Sequence, residues 1–402
     1  MEENKNISKT KQFRFSEIIV LLVITLIIGV ILGISIFKVI YEKDQTNSSK
    51  DAELTKFIEN YKYITNNYYG ELDKKELIDK AISGMLDSIG DPYTAYIDEE
   101  SSNKFTTSLE GSFEGIGVEI VNDSDNNIVI YSVLSESPAE KAGLEPLDII
   151  KTIDGESLEG ITTSEFVSKV KNSQNSLIKL TVLREDKTIE IDVKREKVTI
   201  KSVKSETFNK ANKKIGYIYI SIFANNTYSQ FKKELENLEQ SGIDCLIIDV
   251  RGNTGGHLTA VENILSLFLD SNHIIYQTED KTGVQKIYSK GTTTKEYKIV
   301  VLTDGSSASA SEILAATMKE EYGATLVGKK TYGKGTVQEL KTLPDGEQYK
   351  FTTKKWLTPK GNWINEIGVE VDKEVEFNKD YYENPTYEND NQLQEAIKTI
   401  LE

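Results

Sequence analysis

Histidine and cysteine are almost absent from this chain: 402 residues contain two of the first and one of the second. The lone Cys245 can form no intrachain disulfide, and its place inside the apolar run DCLIIDV reads as a buried structural thiol. His257 and His273 have neither cysteine neighbours nor an HExxH spacing, so no metal site is expected. Basic charge is short too. With 48 Lys and Arg against 64 Asp and Glu the formal charge is -16, and no basic stripe with interleaved aromatics occurs, which argues against nucleic acid as a partner. Internal repeats and low-complexity segments are also missing.

What is present begins with a long apolar run. Ile18 to Phe37 carries no charge and is bounded by Glu17 and Lys38; as a helix it spans about 30 Å, the thickness of a bilayer core. A transmembrane anchor is expected there. Lys5, Lys9, Lys11 and Arg14 precede it, so the N-terminus should stay cytoplasmic and the rest should lie outside. A cleaved signal peptide is the alternative, although no small-residue cleavage site follows the run. Gly29 and Gly33 form a GxxxG that either packs two anchors together or is simply tolerated in a membrane helix.

Beyond a polar tether, Leu54, Phe57, Ile58, Tyr61 and Ile64 recur at helical spacing and Leu72 to Leu86 does the same, until Asp91-Pro92 breaks the pattern. Residues 103–195 read as short strands and turns, with helices near 137–143 and 162–171, the second opened by a Thr162/Glu165 capping box. After residue 198, strands alternate with amphipathic helices. DCLIIDV and KIVVLTD look like strands buried on both faces, which indicates an α/β domain.

Three small-residue segments follow strands of that domain, where sites are usually built. SSASASEI carries Ser309, TYGKGTVQ carries Lys334, and DVRGNTGGH carries Gly252, Gly255 and Gly256. A desolvated lysine can replace histidine as the base for a nucleophilic serine. Taken alone, each segment also has a plainer reading. Ser309 with Glu312 matches a capping box, Lys334 reads as an exposed loop lysine, and the glycines suit a tight strand-to-helix corner. Asp249 and Arg251 are expected to pair and brace their loop. Gly328 to Lys334 imitates a nucleotide-binding P-loop, but Gly335 stands where Ser or Thr is needed, so no nucleotide cofactor is expected. His257 remains a weaker candidate base.

In chain order, with the glycine segment first, then Ser309, then Lys334, the three segments resemble the carboxyl-terminal processing, or tail-specific, proteases, a Ser-Lys peptidase family with an embedded PDZ domain. DPYTAYI at 91–97 is similar to the family's N-terminal signature, FEGIGVEI at 113–120 to its PDZ carboxylate loop, and SPAEKAGLEPLDIIKTIDG at 137–155 to the PDZ body. The likeness covers most of residues 54–373. With the readings above it implies a multidomain α/β plus α+β chain: cytoplasmic N-terminus (1–17), transmembrane helix (18–37), linker (38–51), helical N-terminal region (52–102), PDZ domain (103–195), ClpP/crotonase-like α/β protease domain (196–376) and C-terminal helical tail (377–402).

The resemblance also implies roles. Ser309 is the nucleophile, Lys334 the general base and Gln338 the residue that orients it, with the N–H of Ala310 and that of Gly255 or Gly256 forming an oxyanion hole. Gly115, Ile116, Gly117 and Val118 would bind the terminal carboxylate of a protein or peptide substrate that adds a strand to the PDZ sheet. Family members often dimerise, and the helices at 52–90 and 391–402 could either pair subunits or pack on the core. Departures are modest: Thr254 replaces a common proline, Lys360 stands where Ser is common, and Gly368 to Asp372 lacks its proline. A catalytically inactive PDZ scaffold that binds C-terminal peptides is the alternative, which the intact Ser309, Lys334 and Gln338 disfavour.

Overall fold

A computed structural model describes residues 29–30, 32–35, 38, 52–97, 106–173, 175–342 and 348–402. Most of the expected membrane span and of the linker after it lies outside these residues; among the described residues no helix is long and apolar enough to cross a membrane. The chain divides into two units, one ending at Gly84 and one beginning at Met85. Helices α1 (Ala52–Asn67) and α2 (Lys74–Asp87) carry the predicted helical spacing. Asp73 caps α2 by accepting from the N–H of Lys75 and Glu76.

Strand β1 (Ala95–Ile97) precedes a small antiparallel module. Strand β2 (Ser112–Gly115) enters it, and β3 (Val118–Asn122), β4 (Ile128–Val133), β5 (Ile149–Ile153), β6 (Glu156–Ser157), β7 (Leu177–Arg184) and β8 (Lys187–Lys194) follow, with helices α3 (Pro138–Ala142) and α4 (Thr163–Asn172). The sheet order is β3-β4-β5-β7-β8, which leaves β3 at an edge. Alternation decides which side chains go inward: Ile178, Leu180 and Val182 of β7 are buried with Ile128, Ile130 and Ile150, and Phe166 and Val170 of α4 close over them. The Thr162/Glu165 capping box opens α4 as expected. Exit strand β9 (Glu196–Thr199) pairs antiparallel with β2, so the module is entered and left side by side.

The remaining strands are β10 (Val203–Lys210), β11 (Lys213–Ile220), β12 (Cys245–Asp249), β13 (Ile274–Asp280), β14 (Gly283–Tyr288), β15 (Lys298–Thr303), β16 (Thr325–Gly328), β17 (Thr336–Thr342), β18 (Gln348–Leu357) and β19 (Lys373–Glu374). The main sheet runs β10-β11-β12-β15-β16-β19, parallel except for the β10–β11 hairpin. Every residue of β12 is buried, because helices cover both faces. Leu246 and Ile248 meet α5 (Thr227–Gln240), α6 (Leu258–Leu265) and α7 (Ala310–Thr317), while Cys245 and Ile247 face the other way. That second face is covered by α8 (Asn391–Leu401), through Leu393, Ala396, Ile397 and Ile400. The segment read as a tail is thus a layer of the α/β domain. A second sheet, β1-β18-β13-β14 with β17 also on β18, packs at the end where the site lies.

Candidate active site

Ser309 closes the loop between β15 and α7 with φ 56° and ψ -114°, a left-handed backbone that costs a non-glycine residue on the order of 1–3 kcal/mol. Its neighbours hold that elbow in place. Ala308 N–H and Ser311 Oγ both donate to the Asn253 carbonyl (3.0 and 2.8 Å), and Ser307 Oγ donates to the Val250 carbonyl (2.8 Å). Asn253 is itself buried and donates through Nδ2 to the Ile220 carbonyl at 2.9 Å. The elbow and the glycine loop are therefore one hydrogen-bonded piece.

Glu312, one turn into α7, has no solvent exposure. Its Oε2 accepts from the N–H of Ser309 (2.8 Å) and of Lys334 (2.8 Å), and its Oε1 from Gly333 N–H (2.6 Å) and the Thr331 hydroxyl (2.6 Å). The capping-box partner read from the sequence thus also grips the second loop. Burial pushes its carboxyl above the ordinary value, against the downward pull of those four donors.

Lys334 follows β16 in a loop pinned from behind by both tryptophans of the chain. Trp356 Nε1 donates to the Lys334 carbonyl (2.7 Å) and Trp363 Nε1 to the Gly335 carbonyl (2.8 Å). A Cβ at Gly335 would stand 2.7 Å from Asn365 N, which explains the glycine. The lysine side chain is half-buried, contrary to the exposed-loop reading, and its Nζ lies 4.9 Å from the centre of the Tyr93 ring. Burial pulls the amine below its usual value and Lys350 adds to this; Glu312 and Asp91 oppose it. Gln338, on β17, donates through Nε2 to Thr336 Oγ1 (2.8 Å) and Thr352 Oγ1 (3.1 Å).

In the glycine loop the expected Asp249–Arg251 pair is present, with Nη2 2.6 Å from Oδ2. Arg251 also reaches Asp390, the N-cap of α8 (2.7 Å), so the helix on the far face braces this loop. Gly255 has φ 108°, and a Cβ there would lie 2.8 Å from both Ser309 Cβ and the Ala308 carbonyl oxygen. Its N–H donates to Asn253 Oδ1 at 2.9 Å. A Cβ at Gly256, which has φ 140°, would lie closer still, 2.2 Å from the Phe223 carbonyl oxygen. His257 Nε2 is buried with no hydrogen-bond partner among the described residues, and His273 bonds Glu321 at 3.0 Å. Neither imidazole is bonded to Ser309.

The two-residue loop between β2 and β3 uses its carbonyls inward: Ile116 O accepts from Ala139 N–H (2.8 Å) and Gly117 O from Leu134 N–H (3.0 Å). Gly117 has φ 88°, and a Cβ there would stand 2.3 Å from Ser137 Cβ. Gly115 ends β2, Val118 begins β3, and α4 packs beside both strands.

Sequence reasoning left Asp91, Tyr93 and Thr94 without a role, although they belong to the DPYTAYI segment it quoted. β1 pairs with β18 and brings them beside Lys334. Burial pulls the Asp91 carboxyl upward, but hydrogen bonds from Thr352, Thr94 and Tyr93 and the charge of Lys334 hold it below the usual carboxylate range. Burial and a hydrogen bond with Tyr332 push the Tyr93 hydroxyl up to about 12.

A strained serine between a buried strand and a helix, locked to a glycine turn and to a partly desolvated lysine, has the parts of a serine hydrolase. Comparison with known proteins narrows this class. The Peptidase family S41 model matches residues 214–375, a PDZ domain model 115–195, and the model of the activating protease CtpB N-terminal domain 35–101. The carboxy-terminal processing protease CtpB of Bacillus subtilis is 40% identical over 81% of this chain and 68% of its own length. CtpA of the same bacterium is 35% identical over 82% and 70%. A solved structure from Bacteroides fragilis assigned to the S41 proteases aligns with TM-score 0.51 at 17% identity over 83% of this chain and 98% of the other, a likeness of fold. The chain belongs to the S41 family of carboxyl-terminal processing serine proteases.

Proposed function

We propose that this protein is a membrane-anchored endopeptidase, with its catalytic domain outside the cytoplasm, that cuts proteins presented by their C-terminal tails. Neutral Lys334 takes the proton of Ser309 Oγ, and the oxygen attacks the scissile carbonyl carbon. The amine then protonates the leaving nitrogen, and water releases the acyl-enzyme. Because Gly255 N–H is engaged by Asn253, the oxyanion donors are the N–H of Ala310, at the first residue of α7, and that of Gly256. The observation that carries this reading is the Glu312 carboxylate, which ties the main chain of Ser309 to that of Lys334.

The N–H groups of Ile116 and Gly117 would take the substrate's terminal carboxylate while its last residues pair with the β3 edge. No metal or nucleotide enters the scheme, so cleavage should persist in excess chelator. The uncharged run 18–37 supports anchoring, which membrane fractionation and protease accessibility of intact cells test. With residues 391–401 built into the core, pairing of subunits falls to 52–90, and sedimentation of the chain with and without those residues tests it.

The deciding experiment incubates the protein with an unstructured substrate. Ser309→Ala and Lys334→Arg should each abolish fragments without changing the fold, and an Lys334→Arg protein that cuts at a normal rate rules out the dyad. The base works only when neutral, so kcat/KM should rise with pH. Burial lowers the amine below its unperturbed value of 10.5, and the midpoint of that rise should fall below it.

A further inference from the structure

Gln338 can orient Lys334 only if its amide presents the correct end, and an amide by itself does not determine which end that is. The surroundings of Gln338 do. Thr352 Oγ1 donates its single hydrogen to Asp91 Oδ2. Thr352 has no second hydrogen, so toward Gln338 it can only accept, and the group facing it at 3.1 Å must be the NH2. The other N–H of that group donates to Thr336 Oγ1 at 2.8 Å. Both amide hydrogens are engaged, and Oε1, an acceptor, is the end left over.

Asp91 is held for this task. Its Oδ1 accepts from Tyr93 N–H (3.0 Å) and its Oδ2 also from Thr94 Oγ1 (2.6 Å), while Thr352 N–H donates to Thr94 Oγ1 at 3.1 Å. The lysine amine stands over the ring of Tyr93, in the same short segment.

We propose that Asp91, acting through the Thr352 hydroxyl, fixes the Gln338 amide so that its oxygen faces Lys334, which makes Asp91 and Thr352 positioning residues of the protease. The inference rests on the Ser-Lys reading above. An amine acting as base must direct its lone pair at the serine, and an acceptor that takes one of its N–H groups sets that direction. With the amide reversed, NH2 would face NH2. Asparagine at 91 permits the reversal, because it can donate to Thr352 and release the Thr352 hydrogen toward Gln338. Valine at 352 removes the link, and serine preserves it.

The test uses the full chain and an unstructured peptide substrate, with Asp91→Asn, Thr352→Val, Thr352→Ser and Lys334→Arg. Thr352→Val and Asp91→Asn should lower kcat at least about tenfold with little change in KM, and Thr352→Ser should stay near the parent. Asp91→Asn should also move the acid limb of the kcat/KM profile to lower pH. Asp91 and Glu312 hold the amine charged, Lys350 opposes them and the Tyr93 ring lies beneath it, so removing one carboxylate favours the neutral base. Thr352→Val leaves every charge in place and should leave the limb where it was.

Parental kcat in Thr352→Val, equal damage in Thr352→Ser and Thr352→Val, or an unmoved limb in Asp91→Asn would overturn the proposal. Should valine at 352 prevent folding, seen as a lost thermal transition, the Asp91→Asn profile and the Thr352→Ser rate decide it. An active Lys334→Arg sinks the dyad itself and this inference with it; an inactive Lys334→Arg beside a fully active Thr352→Val sinks this inference alone.

Discussion

A carboxylate without solvent exposure that accepts from three main-chain N–H groups and one hydroxyl leaves no room for another chemistry at position 312. Alanine there strands four donors at once, those of Thr331 and Gly333 fully buried and those of Ser309 and Lys334 partly so. Since a single unsatisfied buried group costs about 1–3 kcal/mol, Glu312→Ala should lose about 3 kcal/mol or more of unfolding free energy in urea and should lose proteolysis as well. The sequence showed Glu312 only as the third residue after a helix cap. That it also grips Gly333 and Lys334 depends on a loop some twenty residues later folding back onto α7, and no local pattern encodes that return. Asp91 is the same case at longer range, since β1 reaches Lys334 only through β18.

At the scale of elements, β12 and β15 were legible because burial on both faces demands an unbroken apolar run, and α5, α6 and α7 because one apolar stripe must face the sheet. Strands β17 and β18 were not legible. Their residues are mostly half-buried and their partners lie far off in sequence, so neither composition nor alternation announces them. Helix α8 was visible as a helix, but its destination was not. Leu393 is fully buried beneath the sheet, and Leu393→Ala should cost about 2–5 kcal/mol, read from the urea midpoint. The same helix supports the site, because Asp390 at its start holds Arg251 of the glycine loop.

At the scale of the molecule, the PDZ module and the α/β domain keep separate apolar cores, joined where β2 pairs with β9. Damage to one core should stay local. Gly117→Ala places a Cβ within 2.3 Å of Ser137 Cβ at φ 88°; it should weaken binding of a peptide with a free C-terminal carboxylate by at least about tenfold, while the unfolding transition of the α/β domain stays put. Fluorescence anisotropy with free and amidated peptides, beside a melting curve, checks both halves. By itself the sequence determined the helices, the buried strands, the order of the glycine and serine-lysine segments, and so the family, because helical periodicity, double burial and backbone-permissive residues are local and leave local marks. Only the tertiary structure decided that one buried glutamate joins the Ser309 loop to the Lys334 loop, that the C-terminal helix is a layer of the core, and that Asp91 stands beside Lys334. Each of these is a contact between distant segments, fixed by how the sheets close and by nothing in the segments taken alone.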